Sequence, residues 1–165
     1  MLATLAAITA RLGAGGVHWR LAGSTGRLLL GHTVRPDDVD LEVARIDAAR
    51  AAAALGLTDP RPQSGGGWSS LRAAGIIGGV PVDLSGGMEI TGPGGVLRAG
   101  DAATIAVTWG GHVVQVVAPG ESVARAVVAG DAQREERARE AIAPVDTDAL
   151  RYAESRIAAA ASAAR

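Results

Sequence analysis

The chain has 165 residues, with 16 basic against 17 acidic and a net charge of −1. That length suffices for one domain whose core needs neither disulfides nor a structural metal, and the absence of cysteine excludes thiolate zinc sites while leaving the redox compartment unspecified. The balanced charge removes the simplest electrostatic argument for a dedicated nucleic-acid binder, although a nucleotide-sized anion can still be held locally. All basic residues are arginine, and Lys, Phe and Asn are absent, which reads as GC-rich coding rather than as function.

The apolar run Met1 to Ala10 lacks a basic n-region and is interrupted by Arg11, too early for a membrane span. Leu2, Leu5, Ile8 and Leu12 recur at helical spacing and predict an amphipathic first helix, and the cytoplasm is the expected location. Val17 to Ala22 reads as a buried strand ended by Gly23. Ser24 or Thr25 then caps a short helix that runs through Leu28, Leu29 and Leu30 and stops at Gly31. After thirteen intervening residues Ser24 is followed by Asp38-Val39-Asp40-Leu41-Glu42-Val43. In a strand the side chains alternate faces, so Asp38, Asp40 and Glu42 share one face and the apolar residues the other. Carboxylates arrayed in this way repel one another unless a cation sits between them, and all-oxygen donors suit Mg²⁺ or Mn²⁺.

A helix is predicted over Asp47 to Leu55, capped by Asp47, and a loop over Thr58 to Gly67, which contains Pro60, Pro62 and three consecutive glycines. Ser70 to Ile77 and Val80 to Ser85 read as a hairpin turned at Gly78-Gly79. Asp83 lies in its second strand, on the face opposite Val82 and Leu84. Met88 to Thr91 and Ala103 to Trp109 extend or flank the sheet, and Val113 to Val117 is a further apolar strand ended by Pro119-Gly120. From Glu121 the pattern is helical: Glu121 to Ala129, Ala132 to Ala143, and Asp146 to the alanine-rich end, which is expected to fray because alanine buries little area.

A glycine-serine turn, a short helix, Asp-x-Asp on the next strand and a later Asp inside an apolar strand together resemble the polymerase-β-like nucleotidyltransferase superfamily. Its pattern is Gly-[Gly/Ser], nine to thirteen residues, then two carboxylates alternating with apolar residues, and here it is matched by Gly23-Ser24, Asp38-Val39-Asp40-Leu41 and Asp83. The resemblance covers about Val17 to Leu84 and, more weakly, Val113 to Gly130. It is strongest to the small members that modify antibiotics or act as toxins. It implies an α/β (α+β) fold, with a mixed β-sheet and helices packed mainly on one side. It also implies a single domain over 1–165, with a catalytic core at about 17–90 and a helical segment at about 121–165.

The activity implied is metal-dependent transfer of a nucleoside monophosphate from a nucleoside triphosphate such as ATP to a hydroxyl. By resemblance Asp38 and Asp40 bind two metal ions, Asp83 binds the catalytic one and helps activate the hydroxyl, and Gly23, Ser24 and Arg27 contact the phosphates. The acceptor stays open between a small molecule such as an antibiotic, a tRNA and a protein, and so does pairing with a second copy or a small helical partner.

Taken singly, each piece has an ordinary structural explanation: Asp-x-Asp as a solvated strand face, Gly-Ser as a turn and cap, Asp83 as an edge-strand residue, Arg27 as an exposed helical arginine. Two other classes therefore stay in view. A glycosyl- or phosphocholine-type transferase also uses Asp-x-Asp, and would be favoured by an Asp83 remote from Asp38 and Asp40. The other is a nucleotide-binding or partner module without turnover. Arg35 is a candidate partner for Asp37 or substrate, Asp37 faces away from the metal side, and Glu42 is either an acceptor contact or a solvated strand end. His18 in the first strand, His32 after the short helix and His112 in a glycine turn do not form a ligand set. Trp68 either stacks on a base or covers the edge of the core. The mixed-charge run from Arg134 to Glu140 is a solvated helix face.

Overall fold

The computed structural model describes residues 1–142 and 146–163, apart from the Leu2 side chain. The chain forms two compact units. The first comprises Met1–Gln63, Ser70–Met88 and Thr104–Val117, and the second Ser64–Ser69, Glu89–Ala103 and Ala118–Arg165.

The first unit opens with helix α1 (Leu2–Ala14), whose Leu5, Ile8 and Leu12 form one buried stripe. Strand β1 (Trp19–Ala22) leads directly into α2 (Gly23–Leu29), followed by β2 (Val39–Val43), a 3₁₀ turn and α3 (Ala48–Leu55). Strands β3 (Arg61–Gly65), β4 (Trp68–Ile77), β5 (Val80–Gly92), β6 (Gly95–Arg98), β7 (Thr104–Trp109) and β8 (His112–Val117) complete an eight-stranded sheet, of which β6 and the end of β5 fall in the second unit. Its order is β3-β4-β5-β2-β1-β8-β7, with β6 on the far end of β5. The sheet is mixed: β2 runs parallel to β5 and β1 to β8, while β1–β2 and β7–β8 are antiparallel. This is the mixed sheet and helix architecture expected from the sequence.

The core follows from strand alternation. Val39, Leu41 and Val43 of β2, Val82 and Leu84 of β5, and Leu21 and Val116 of the neighbouring strands turn their side chains into one cluster with Leu5, Ile8, Leu12 and Leu55. Burying apolar area in this way, at about 25 cal/mol per Å², orients the sheet and leaves the alternate residues on the other face.

Several expectations need correction. The span predicted as a loop, 58–67, contains β3, an exposed strand beside β4 at the sheet edge, where Pro62 is tolerated because edge N–H groups need no ladder partner. The first strand starts at Trp19, so His18 precedes it and is exposed, while His112 begins β8. Asp47 caps α3 in position only; its Oδ1 accepts a hydrogen bond from Arg50 Nη2 at 2.6 Å, and no side-chain capping bond forms. The Gly78-Gly79 hairpin is present, with both glycines at positive φ (59° and 79°) as a tight primed turn requires.

In the second unit, Glu89–Gly92 of β5 pairs antiparallel with β6, and helices α4 (Gly120–Ala129), α5 (Ala132–Ile142) and α6 (Thr147–Ala163) follow. The expected helix end at Ala143 lies outside the described residues. Helix α6 remains regular to Ala163, with Ala149, Ala153 and Ala160 buried. The Arg134 to Glu140 segment is largely exposed, as expected, with an Arg139–Glu135 ion pair at 2.8 Å. In this unit Glu121 is a carboxylate with no exposed surface. It accepts hydrogen bonds from Arg156 Nε (3.0 Å), Tyr152 Oη (2.8 Å) and Arg125 Nε (3.2 Å). Arg156 also donates to the Arg98 carbonyl, and Tyr152 Oη accepts from the Ala103 N–H. Burial pushes the Glu121 carboxyl up, but the hydrogen bond from Arg156 and the charges of Arg125 and Arg156, with the Tyr152 hydroxyl, outweigh it and hold the group below its ordinary value of 4.5.

Candidate active site

The parallel pairing of β2 with β5 sets Asp40 directly beside Asp83. Both alternate with core residues, so both project from the face opposite the apolar cluster. Asp38 stands just before β2 rather than in it, held where Thr25 Oγ1 of α2 donates to the Asp38 carbonyl at 2.6 Å. Carboxylate oxygens of Asp38, Asp40 and Asp83 all lie within 4.8 Å of one another. Among the described residues this is the one group of three or more acidic or histidine side chains so gathered, and no histidine joins it.

Two arginines shape the charge around these acids. Glu42 is neither an acceptor contact nor a solvated strand end: it is 3% exposed and paired through Oε2 with Arg20 Nε at 3.3 Å, its cross-strand neighbour on β1. Arg72 of β4 bonds Asp83 Oδ1 through Nη2 at 3.2 Å and Ser85 Oγ through Nη1 at 2.6 Å. Arg72 lies outside the motif that marks the acids, yet its position can be read from the hairpin. Counting back from a two-residue turn at Gly78-Gly79 sets Arg72 across from Ser85, one diagonal from Asp83.

Asp38 and Asp40 form no ion pair among the described residues. Burial, then the charges of Asp38 and Asp83, push the Asp40 carboxyl from 3.8 up to about 6, against the opposing pull of Arg72. Because the folded value exceeds the unfolded one, this group's contribution to stability is present below pH 3.8 and lost as pH rises through about 6. Asp40→Asn should therefore raise the Tm of the protein in chelator at pH 7.5 and leave it nearly unchanged at pH 4. Discounted for solvent screening, the effect is of order 1 kcal/mol, about 2–4 °C for a chain of this size. Equal melting differences at the two pH values would count against the assigned repulsion.

Gly23 adopts φ +62°, and because Ala22 pairs with Asp40 across β1–β2, a Cβ at position 23 would overlap the Asp40 carboxylate. Glycine is thus required both by the backbone and by the acid packed against it. Ser24 is half-buried in the first turn of α2, and Arg27 is half-buried in its last. No ion pair joins Arg35 to Asp37 among the described residues, and Asp37 is exposed outside the cluster. Trp68, at the start of β4, is half-buried. A cleft of about 520 Å³ adjoins the site, with Asp83 and Arg72 on its wall.

No family model matches the sequence, and no curated protein matches it. Solved structures do match the fold. A Thermotoga maritima protein provisionally described as a nucleotidyltransferase superimposes with a TM-score of 0.71 at 21% identity, over 86% of this chain and 91% of that one. The antibiotic-resistance factor ANT(2″)-Ia, determined in complex with adenylyl-2″-tobramycin, matches at TM-score 0.56 and 14% identity over 98% and 97% of the two chains. The lincosamide antibiotic adenylyltransferase LnuA, with lincomycin bound, matches at 0.52 and 10% identity over 94% and 97%. The chain thus shares its fold with these nucleotidyltransferase structures, as the residue pattern implied. Among the described residues, no helix is long and apolar enough to cross a membrane.

Proposed function

We propose that this protein transfers a nucleoside monophosphate from a nucleoside triphosphate to a hydroxyl of a small molecule and releases pyrophosphate. The observation that carries this reading is the meeting of Asp38, Asp40 and Asp83, two of them without an ion-pair partner among the described residues, next to the Gly23-Ser24 turn. Three hard oxygen donors that repel one another suit Mg²⁺ or Mn²⁺, so the residues present fit a divalent metal. Asp38 and Asp40 would hold two such ions and Asp83 one of them. When bound, metal ions in such a site neutralise charge on the transferring phosphoryl group.

In this reading Ser24 and the N–H groups opening α2 hold the terminal phosphates, and Arg27 reaches toward the triphosphate. The acceptor oxygen bonds to the α-phosphorus as the bond to the bridging oxygen breaks, and pyrophosphate leaves with that electron pair. Asp83, on the wall of the adjoining cleft, accepts the hydroxyl proton. A glycosyl- or phosphocholine-type transferase is disfavoured because Asp83 stands beside Asp40 instead of apart from it. The solved neighbours named for antibiotic acceptors favour a small-molecule acceptor over tRNA or protein.

Mg²⁺ and ATP together should stabilise the protein far more than either alone, by about 2.7 kcal/mol at a hundredfold excess over Kd, since the carboxylates repel a bare triphosphate. Differential scanning fluorimetry checks this, and equal protection by ATP in chelator would oppose the reading. Gly23→Val should abolish the joint effect while keeping the far-UV circular dichroism of wild type.

A further inference from the structure

The cleft beside Asp83 lies wholly within the first unit, and its polar lining is Thr58, Asp59, Arg61, Gln63, Arg72 and Asp83. Its volume, about 520 Å³, suits a ligand of small-metabolite size. Two guanidinium groups face it. Arg72 is committed to Asp83 and Ser85, whereas Arg61, exposed on β3, makes no ion pair among the described residues. Asp59 is also exposed and makes no ion pair among the described residues, so the two arginines are opposed by Asp59 and Asp83. Once Asp83 faces a divalent cation its charge is offset, and the wall that remains is cationic on balance. A polycationic acceptor would then meet two guanidiniums, an arrangement that repels it; a phosphate or carboxylate would meet a fork-shaped donor geometry made for it.

We propose that this cleft is the acceptor site and that the acceptor is a small hydroxyl compound carrying a phosphate or carboxylate group, anchored by Arg61 and Arg72 with its hydroxyl toward Asp83. This rests on the nucleotidyl-transfer reading for the identity of the ligand as an acceptor, but the anion site itself is testable without nucleotide. The lining also explains why β3 is retained at the sheet edge despite burying nothing: it carries Arg61 and Gln63 to the cleft.

The test uses matched probes, glycerol 3-phosphate against glycerol and gluconate against sorbitol, with tobramycin as the cationic comparator. Binding is followed by NMR of the wild-type protein labelled at arginine, first with Mg²⁺ alone and then with Mg²⁺ and a non-hydrolysable ATP analogue. The anionic member of each pair should bind at least tenfold tighter than its neutral partner and perturb the Arg61 and Arg72 signals. Arg61→Ala, a change on an exposed edge strand that removes no buried contact, should weaken that binding about tenfold and leave affinity for the Mg²⁺–nucleotide unchanged. Equal binding within the pairs, preference for tobramycin, or an unaffected Arg61→Ala would overturn the proposal. So would competition between the ATP analogue and glycerol 3-phosphate, because the cleft would then hold the donor's phosphates. Failure of the Mg²⁺–nucleotide to bind, with anion binding intact, would instead remove the nucleotidyl-transfer reading and leave an anion-binding cleft.

Discussion

Asp83→Asn is expected to lower nucleotidyl transfer at least about a hundredfold while changing nucleotide affinity little, the scale seen when a major transition-state electrostatic contact is lost. Asp38 and Asp40 remain to hold the metal that arrives with the triphosphate, so the donor site stays formed. What disappears is the carboxylate charge that faces both the cluster and the cleft. The amide keeps the shape of the side chain and an oxygen for Arg72, which limits any structural cost. Asp40→Asn should damage binding and turnover together, because Asp40 is the acid flanked by both others. Label transfer from an α-labelled triphosphate and pyrophosphate release measure the effect across candidate acceptors. If wild type and Asp83→Asn transferred label equally to one acceptor, Asp83 would be a structural residue and the three-carboxylate mechanism would fall. If wild type bound nucleotide but modified nothing, the partner-module reading would gain.

The largest stability effect should come from a residue remote in sequence from the acidic motif. Glu121→Ala removes the acceptor for Arg125, Arg156 and Tyr152 at once and leaves two guanidiniums without their buried counter-charge. Breaking a buried ion pair by deleting one partner typically costs about 3–5 kcal/mol, which for this chain length lowers Tm by roughly 10 °C. Glu121→Gln should be milder, since its carbonyl oxygen can still accept one of the bonds. The pH dependence has a fixed sign. Because the folded carboxyl lies below 4.5, its stabilisation is present above that value and is lost as pH falls through the folded value. The wild type should therefore lose stability on acidification below about 4.5, and Glu121→Gln should show less of that loss. Thermal melts of the three proteins from pH 3.5 to 7, with amide exchange in α4 and α6, would decide it; a Glu121→Ala melt within a degree of wild type would refute a structural role for the network.

Much of the first unit was legible in the residue order because local rules and tertiary demand agree there. Alternation in Asp38 to Val43 and in Val80 to Leu84 assigned the apolar residues to a core and the acids to the other face, and the Gly78-Gly79 turn bounded the hairpin. The edge strand at Arg61–Gly65 escaped notice because it buries nothing: with no apolar period to read, its prolines and glycines signalled a loop. Glu42 was misread for a related reason. Strand phase gives the side on which a carboxylate projects but not what stands opposite, and here Arg20 on the antiparallel neighbour neutralises it and allows its burial.

By itself the sequence determined the alternation that makes one face of the sheet carboxylate-rich and the stripe of α1 that covers the core. Each of these depends on spacings of two to four residues, which the backbone geometry of strands and helices imposes locally. Only the tertiary structure decided that β5 lies parallel beside β2 with Asp83 next to Asp40, that Arg72 rather than a histidine completes the surroundings of the acids, and that Glu121 is buried among arginines drawn from 4 and 35 positions away. Those facts depend on which strands and helices become neighbours. Neighbourhood is settled by the joint burial of apolar faces and the pairing of buried charge, to which residues far apart in the chain contribute together.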